Sequence, residues 1–317
     1  MNVQRSPESA SALRARTPER TSSWWARNNH KVAPYLFVLP FFLVYGVFFL
    51  YPVISSFILS FYKAVGLGSR TFVGLNNYAE LIHDPRYLKA LTNTTVYTLA
   101  SVFILSPLAL LVAMAVRSFI VPSPNLQSFY RIAYFLPQLT SFVVIALMFA
   151  LVFDQNFGLL NQVLSSFGLP KLGWLNEPGL AMPSLILVAI WTFLGINSLY
   201  FLAGLQNIPE EMNEAAAIDG ATRWQTFWHV TIPLLRPTIL FVVVQAVIFS
   251  YQLFDLPYLL TGGGPSDATL TLAMYLYQIG FSQFSLGYAA AIGYSLALIA
   301  VVVSIFQFGV FRLWGEE

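Results

Sequence analysis

The sequence predicts an all-α, polytopic membrane protein with six transmembrane helices and both termini in the cytoplasm. Of its 317 residues, 57% are apolar and only 9% are charged, whereas soluble domains are about 45–50% apolar and about 25% charged. So few charged residues cannot cover the surface of a soluble fold, and so many apolar residues exclude a disordered chain. Apolar stretches of about 20 residues, the length of a membrane-crossing helix, occur six times.

The six stretches are too long and continuous for the alternating strands of a membrane barrel. Backbone polar groups in lipid must be satisfied within the segment, so we expect helices. The predicted spans are residues 34–58, 96–116, 133–153, 185–205, 238–260 and 288–311. The amphipathic stretch 77–91, between the first two spans, predicts a helix on the outer surface.

Residues 1–32 are polar and Arg-rich and form a predicted basic tail, ahead of a transmembrane domain over 33–317. The first apolar stretch begins late and exceeds 20 residues, so an uncleaved span is predicted rather than a signal peptide. Lys and Arg then decide the orientation. Eleven lie in the tail, the even-numbered connections and the carboxyl end, against five in the other loops. Both termini are therefore predicted to be cytoplasmic.

Several functional classes are excluded by residues that the chain lacks. There is no cysteine, and the three histidines lie far apart, so no metal site is expected. None of the four lysines follows a phosphate-binding glycine loop, and no nucleophile–base motif occurs, so neither catalytic residues nor a cofactor are expected. The net charge of +2 gives no indication of nucleic-acid binding.

The cytoplasmic loop between the fourth and fifth spans, residues 206–237, has the densest charge after the tail. Asn207 is a predicted N-cap, and Gly220 a predicted left-handed helix end. Thr222 is expected to cap a second helix with Trp224, Phe227 and Trp228 on one face. A small, acidic, Ala-rich helix permits close approach by another protein. The alternative from these residues alone is that the loop packs beneath its own helices.

Three sequence motifs resemble a known family. Glu214-Ala215-Ala216, then Gly220, then Val230-Thr231-Ile232-Pro233, resemble the EAA loop of binding-protein-dependent ABC importer permeases. The stretches 72–78 and 260–265 also resemble the carbohydrate-type branch, which is similar to maltose and glycerol-3-phosphate permeases. Val230 and Ile232 replace the more usual Ile and Leu, which is conservative.

The resemblance implies an importer permease of type I fold in the cytoplasmic membrane of a bacterium or archaeon. The implied partners are a second, similar permease, two copies of a cytoplasmic ATPase subunit, an extracytoplasmic solute-binding protein and membrane lipid. The loop 206–237 would dock into the ATPase as coupling helices. The residues assigned to this coupling are Glu214, Ala215, Ala216, Asp219, Gly220 and Pro233.

Neutral polar and aromatic residues within the predicted spans suggest a route for a sugar-like solute. Amides would hydrogen-bond hydroxyl groups, and rings would supply apolar contact. The candidates are Trp191, Asn197, Tyr200, Gln245, Phe249, Tyr251, Gln252 and Asp255. For any single one of them, packing and hydrogen bonding between helices is the favoured alternative, and the route is indicated by the set. Gln245 and Gln252, seven residues apart, are expected on one helical face.

The leading hypothesis is a permease subunit that forms half of the pathway of a sugar importer, with ATP hydrolysis supplied by a separate subunit. The alternative is a self-contained secondary carrier driven by an ion gradient, although charged residues, which usually mark ion routes, are nearly absent from the spans. A membrane-embedded enzyme would need a titratable cluster in the spans, and none is found. A monosaccharide, an oligosaccharide, a polyol and a glycerophosphate all remain open as solutes.

Overall fold

The structure, a computed structural model, describes residues 24–66, 68–117, 132 and 134–315. The chain divides into two compact units, Met1–Ser55 and Ser56–Glu317. The first 23 residues of the predicted basic tail lie outside the described residues. The first helix begins at Trp24, within that predicted tail.

Helices account for most of the described chain, and π-helical turns interrupt or extend several of them. The helices are α1, Trp24–Tyr45; α2, Tyr51–Leu59; α3, Asn76–His83; α4, Pro85–Arg117; α5, Phe142–Val152; α6, Leu159–Ser166; α7, Pro178–Gln206; α8, Glu210–Ile218; α9, Arg223–Leu234; α10, Arg236–Tyr251; α11, Asp255–Leu260; α12, Leu272–Tyr277; and α13, Leu286–Gly315. Residues 134–139 form a further short helical segment.

Four helical stretches are long and apolar enough to cross a membrane: Ala33–Leu59, Pro85–Arg117, Pro178–Gln206 and Leu286–Phe311. The pair α9 and α10 also passes this test but is bent by 68°. The described residues therefore contain four such helices, or five with the bent pair, while α5 is shorter. The count of six spans and the cytoplasmic placement of both termini remain predictions.

The stretch predicted as the fifth span, residues 238–260, is not one continuous helix. Helix α10 ends at Tyr251, and α11 begins only at Asp255. Pro257 has no N–H with which to continue the hydrogen-bond ladder to Leu253. The Leu253 carbonyl instead accepts a hydrogen bond of 2.7 Å from the Thr271 hydroxyl. A straight span was expected here. Instead, the chain leaves the helix between Tyr251 and Asp255, and Thr271 of a neighbouring segment contacts Leu253 within the break.

The stretch predicted as the third span, residues 133–153, is also interrupted. The segment 134–139 precedes a break at which Ser141 leaves the helical conformation, with φ −59° and ψ 138°, and occupies the N-cap position of α5. A close approach to α7 holds this segment in place. A Cβ atom built on Gly195 would lie only 2.1 Å from the Tyr134 carbonyl oxygen. Glycine at this position thus allows the segment 134–139 to touch the backbone of α7.

The loop after α2 differs from the expected surface helix over 77–91. Helix α3 ends at His83, and Asp84 caps the start of α4, which continues without a break through the second predicted span. The Asp84 carboxylate accepts hydrogen bonds from the N–H groups of Arg86 and Tyr87. Pro85 at the first turn also favours a helix start at this point. The second half of the amphipathic stretch thus belongs to a long helix.

An antiparallel pair of short strands adds a feature absent from the all-α prediction. Strand β1, Tyr62–Ala64, pairs with β2, Arg70–Phe72, with Lys63 opposite Thr71. The side chain of Asn77 secures the pair by donating to the carbonyls of Ser60 and Tyr62. The pair is small and leaves the helical class unchanged.

Three apolar clusters form the core of the second unit. One joins α3, α4, α10, α12 and α13, and contains Leu272 and Ile292. Another joins α4, α5, α7 and α11, and contains Ile145 and Leu185. The third joins the carboxyl halves of α4 and α7 to α9 and α10, and contains Leu235. The core is therefore distributed along the helices, and cavities remain between the clusters.

Candidate functional site

A cavity of about 410 Å³ lies between α4, the segment 134–139, α5, α7, α10 and α11. Its volume falls within the range of small-molecule sites, roughly 300–1,000 Å³. The break between α10 and α11 borders the cavity, and residues before and after this break line it. The lining residues are Tyr97, Ser101, Leu105, Gln138, Phe142, Phe193, Ile196, Asn197, Tyr200, Gln245, Ala246, Phe249, Ser250, Gln252, Leu253, Phe254, Asp255 and Leu256.

Amide side chains supply much of the polarity of this cavity. The Oε1 atoms of Gln138 and Gln245 are buried and accept no hydrogen bond within the described part of the chain. The Asn197 amide donates to the Phe193 carbonyl at 2.8 Å. A buried acceptor without a donor is costly, commonly by about 1–3 kcal/mol. Both acceptors belong to side chains that line this cavity, so a hydroxyl group of a bound solute could supply the missing donor once the amide turns toward it.

Aromatic rings supply the apolar part of the lining. The rings of Phe142 and Phe193 lie 6.1 Å apart, and Phe249 is largely exposed toward open space. Tyr200 packs edge-on against Phe241 at 5.2 Å, which fixes its ring at the cavity wall. The cavity thus combines ring faces with amide groups.

Six of the eight predicted pathway residues line this cavity: Asn197, Tyr200, Gln245, Phe249, Gln252 and Asp255. The other two lie elsewhere. Tyr251 is buried, with its hydroxyl 3.4 Å from that of Thr95, and the helix break separates it from Asp255. Trp191 packs edge-on against Phe149 at 5.3 Å. The sequence prediction therefore grouped two residues with the lining that the structure places apart.

Gln138 is the residue of most chemical interest that the sequence prediction missed. It lies in the segment 134–139, ahead of the helix break, where the sequence pattern indicated only an apolar span. The presence of a glutamine within an otherwise apolar predicted span was the feature of the sequence that could have indicated a polar site there. Tyr97, Ser101, Phe142 and Phe193 were missed as well, because nothing in their spacing distinguishes them from packing residues.

The loop 206–237, called here the EAA-like loop, consists of two helices joined by a left-handed turn. Helix α8 ends in a Schellman motif, in which Ala221 N–H donates to the Ala216 carbonyl and Gly220 N–H to that of Ala217. Gly220 has a φ of +77°, as the sequence predicted for a helix-ending glycine. The N-cap of α8 is Pro209 and not the predicted Asn207, because Asn207 is instead the C-cap of α7.

The second helix of the EAA-like loop begins with a capping box. Thr222 accepts a hydrogen bond from the Gln225 N–H, and the Gln225 side chain accepts one from the Thr222 N–H. The rings of Trp224, Phe227 and Trp228 pack against one another at 5.0–5.8 Å, on one face of α9 as expected; Trp224 stacks on Phe227, and Trp228 meets both edge-on. Both helices are thus defined by interactions within the loop itself.

The core secures the ends of the EAA-like loop and leaves its middle exposed. Ile208, Ile232 and Leu235 are buried in the third cluster, and Arg117 donates to the carbonyl of Leu205 at the end of α7. In contrast, Ile218 is 86% exposed. Of the residues assigned to coupling, Glu214, Ala215, Asp219 and Gly220 are exposed, Pro233 is half-buried and Ala216 is buried. The loop therefore presents a partly apolar surface between two ends that are packed into the core.

The model of the family described as "Binding-protein-dependent transport system inner membrane component" matches residues 105–313. This stretch covers the EAA-like loop, most of α13 and all the cavity-lining residues except Tyr97 and Ser101. This chain belongs to that family. The resemblance noted in the EAA-like loop is thereby confirmed, and the permease is a multi-pass membrane protein.

Two relatives of this permease come from different bacteria. It is 42% identical over 277 residues to the arabinooligosaccharides transport system permease protein AraP of Bacillus subtilis, covering 87% of each chain. It is 35% identical over 293 residues to the lactose transport system permease protein LacF of Rhizobium radiobacter, covering 91% of this chain and 97% of LacF.

A solved structure agrees with the fold of the permease. It is a chain of a bacterial ABC transporter involved in the import of the acidic polysaccharide alginate, with a TM-score of 0.80 and 24% identity. The match covers 91% of this chain and 98% of that chain. The permease therefore has the ABC importer permease fold. Membership of a family of binding-protein-dependent transport components also favours the leading hypothesis, an importer subunit, over the alternative of a self-contained carrier.

Proposed function

We propose that this permease forms half of the translocation pathway for a sugar or sugar-like solute, and that its EAA-like loop couples it to a separate ATPase. The observation that supports the solute class most directly is a cavity whose lining includes aromatic rings and two glutamines with unpaired amide oxygens. Polyhydroxylated rings offer the hydroxyl donors and the apolar face that such a lining needs. The names of the relatives, which refer to arabinooligosaccharides and lactose, agree with this solute class.

The exposed surface of the EAA-like loop supports the coupling part of the proposal. Glu214 and Asp219 are exposed carboxylates on either side of small residues, where a partner can approach the backbone closely. Trp224 and Trp228 add exposed aromatic area at the same end. A two-helix unit that is rigid by itself and secured at both ends can transmit a partner's movement to α7 and α10. Two copies of the ATPase would act on this permease and on a second, similar permease.

The partners outside the membrane and within it follow from the same proposal. A solute-binding protein would deliver the sugar from outside, and a second permease would complete the pathway. Helix α13 leaves apolar side chains exposed along its length, including Leu298, Ile305 and Phe306. Such a surface requires lipid or another membrane helix to cover it.

Reconstitution tests the proposal. Proteoliposomes that contain the permease, a second, similar permease, the ATPase and the binding protein are expected to accumulate radiolabelled arabinotriose or lactose only with ATP. Proteoliposomes with the permease alone are expected to accumulate neither sugar. Uphill uptake by the permease alone, driven by an ion gradient and indifferent to ATP, would contradict the proposal.

The coupling assignment has a matched control within α8. Glu214→Ala is expected to reduce co-purification of the ATPase and ATP-dependent uptake together. Glu211→Ala removes another exposed carboxylate one helical turn earlier and is expected to leave both unchanged. Equal loss in the two variants would show that charge at this end, rather than the Glu214 position, matters.

A further inference from the structure

We infer that the cavity between α4, α7 and α10 selects uncharged polyhydroxylated solutes over anionic ones, with Gln138 and Gln245 as acceptors of solute hydroxyl groups. This inference rests on the proposed function and narrows its solute class. It concerns the charge of the solute, which membership of the family leaves open. The inference adds Gln138 to the residues proposed to bind the solute.

The charges of the lining support the selection. Asp255 has the only acidic side chain among the described residues that line the cavity. No Lys, Arg or His occurs among those lining residues. A carboxylate or phosphate that enters a low-dielectric cavity loses hydration and must find a cationic partner. In this cavity, an anionic solute would meet a like charge instead.

The unpaired amide oxygens favour a solute that donates hydrogen bonds. Because Oε1 of Gln138 and of Gln245 accepts nothing from the described residues, turning either amide toward the cavity breaks no hydrogen bond at that oxygen. A sugar hydroxyl can donate to it, whereas a carboxylate is an acceptor only. The same two groups therefore gain a partner from a neutral sugar and none from an ionised acid group.

The fold itself does not determine this selection. The solved chain with a TM-score of 0.80 belongs to a transporter that imports the acidic polysaccharide alginate. One permease fold thus serves an anionic cargo, so solute charge must be distinguished by side chains. In the permease described here, the lining is amide, hydroxyl and aromatic with a single carboxylate.

The test measures binding to the membrane complex without the binding protein, so that the cavity alone selects. The full-length permease, its partner permease and the ATPase are placed in lipid nanodiscs and titrated by saturation-transfer NMR. The probes are lactose and arabinotriose, each also in the form whose primary hydroxyls are oxidised to carboxylates. We expect the neutral forms to bind at least about tenfold more tightly than the carboxylate forms.

Variants assign the selection to named residues. Gln138→Leu and Gln245→Leu are each expected to weaken binding of the neutral probes by about two- to tenfold, the range of one hydrogen bond. Gln307→Leu is the matched control, because Gln307 also has a buried unpaired Oε1 but does not line the cavity. Gln245→Lys supplies a cation and is expected to increase binding of the carboxylate probes by about tenfold.

Each outcome has a distinct consequence. Equal binding of neutral and carboxylate forms would overturn the charge selection and leave the proposed function intact. An effect of Gln307→Leu as large as that of Gln138→Leu or Gln245→Leu would overturn the assignment to these residues. If the complete importer accumulates a neutral sugar that these nanodiscs do not bind, this cavity is not the site. Failure of the complete importer to accumulate any sugar would instead contradict the proposed function.

Discussion

Gly220 shows how one residue determines the geometry of the EAA-like loop. Its φ of +77° lies in the left-handed region, which side chains other than glycine adopt at a cost of about 1–2 kcal/mol. No atom lies within 4 Å of a Cβ built at this position. The requirement for glycine therefore comes from the backbone conformation and not from lack of space.

Two substitutions at Gly220 distinguish a requirement for the left-handed backbone conformation from a requirement for the absence of a side chain. Gly220→Val is expected to destabilise the turn between α8 and α9 and to lower solute uptake per ATP hydrolysed, because a β-branched residue resists the left-handed region. Gly220→Asn is expected to retain most coupling, since asparagine tolerates that region. Uptake and ATP hydrolysis in the reconstituted importer measure both variants. Equal failure of valine and asparagine would mean that a side chain itself obstructs the partner.

At the scale of elements, α9 depends on its capping box, and the bend to α10 depends on proline. Pro237 lies in the first turn of α10, where a missing N–H has no consequence, whereas Pro233 lies just before the end of α9. The two helices meet at 68°, with Leu235 buried at the joint. The EAA-like loop is therefore linked to the cavity-lining helix α10 through a short, well-packed bend.

The capping box can be tested by Thr222→Ala. Loss of the hydroxyl acceptor is expected to destabilise α9 by about 1 kcal/mol, and to increase amide hydrogen exchange over residues 223–226. Thr92→Ala is the matched control, because Thr92 is an exposed threonine in a helix interior whose hydroxyl donates to Leu88. Unchanged exchange in Thr222→Ala would show that packing of the aromatic face, rather than the cap, defines the start of α9.

At the scale of the whole molecule, polar contacts join segments that are far apart in sequence. Arg86 makes a bidentate ion pair with Asp267, with both distances at 2.9 Å. The Asp84 carboxylate accepts hydrogen bonds from the hydroxyls of Tyr275 and Tyr288. The start of α4 is thus linked to the loop after α11, to α12 and to α13. These contacts lie at the end of the helices opposite the EAA-like loop.

These carboxylates predict a dependence of stability on pH. Burial raises the pKa of Asp84, but hydrogen bonds from Tyr275, Tyr288 and two backbone N–H groups outweigh it, so the pKa falls below 3.8. The Arg86 side chain likewise lowers the pKa of Asp267. A carboxyl group whose pKa is lowered in the folded state stabilises the fold at pH values above its ordinary pKa. This stabilisation is lost as the pH falls through the lowered pKa.

Thermal unfolding at a series of pH values measures this contribution. We expect the Tm of the wild-type complex to fall as the pH is lowered below the ordinary carboxyl value of 3.8. Asp267→Asn and Asp84→Asn are each expected to lower the Tm at neutral pH and to reduce the acid-dependent fall. An acid-dependent fall as steep in both variants as in the wild type would assign the pH dependence to other groups.

Interactions close in sequence were predictable because their geometry depends on a few neighbouring residue types. The left-handed Gly220 and the cap at Thr222 each involve partners within five residues. The membrane class was equally accessible, since composition alone excludes a soluble surface. The N-cap at Asn207 was predicted wrongly because α7 extends to Gln206 and uses Asn207 as its own end.

Only the tertiary structure decided which side chains share the cavity. Helices α7 and α10 are apolar on nearly all sides, so no hydrophobic stripe shows which face points inward. The sequence analysis therefore selected Tyr251 and Trp191, which do not line the cavity, and did not select Gln138, which does. The break after Tyr251 and the pairing of Arg86 with Asp267, 181 residues away, depend on packing between distant segments. Composition and local motifs determined the kind of protein, whereas helix rotation and packing determined the chemistry of its site.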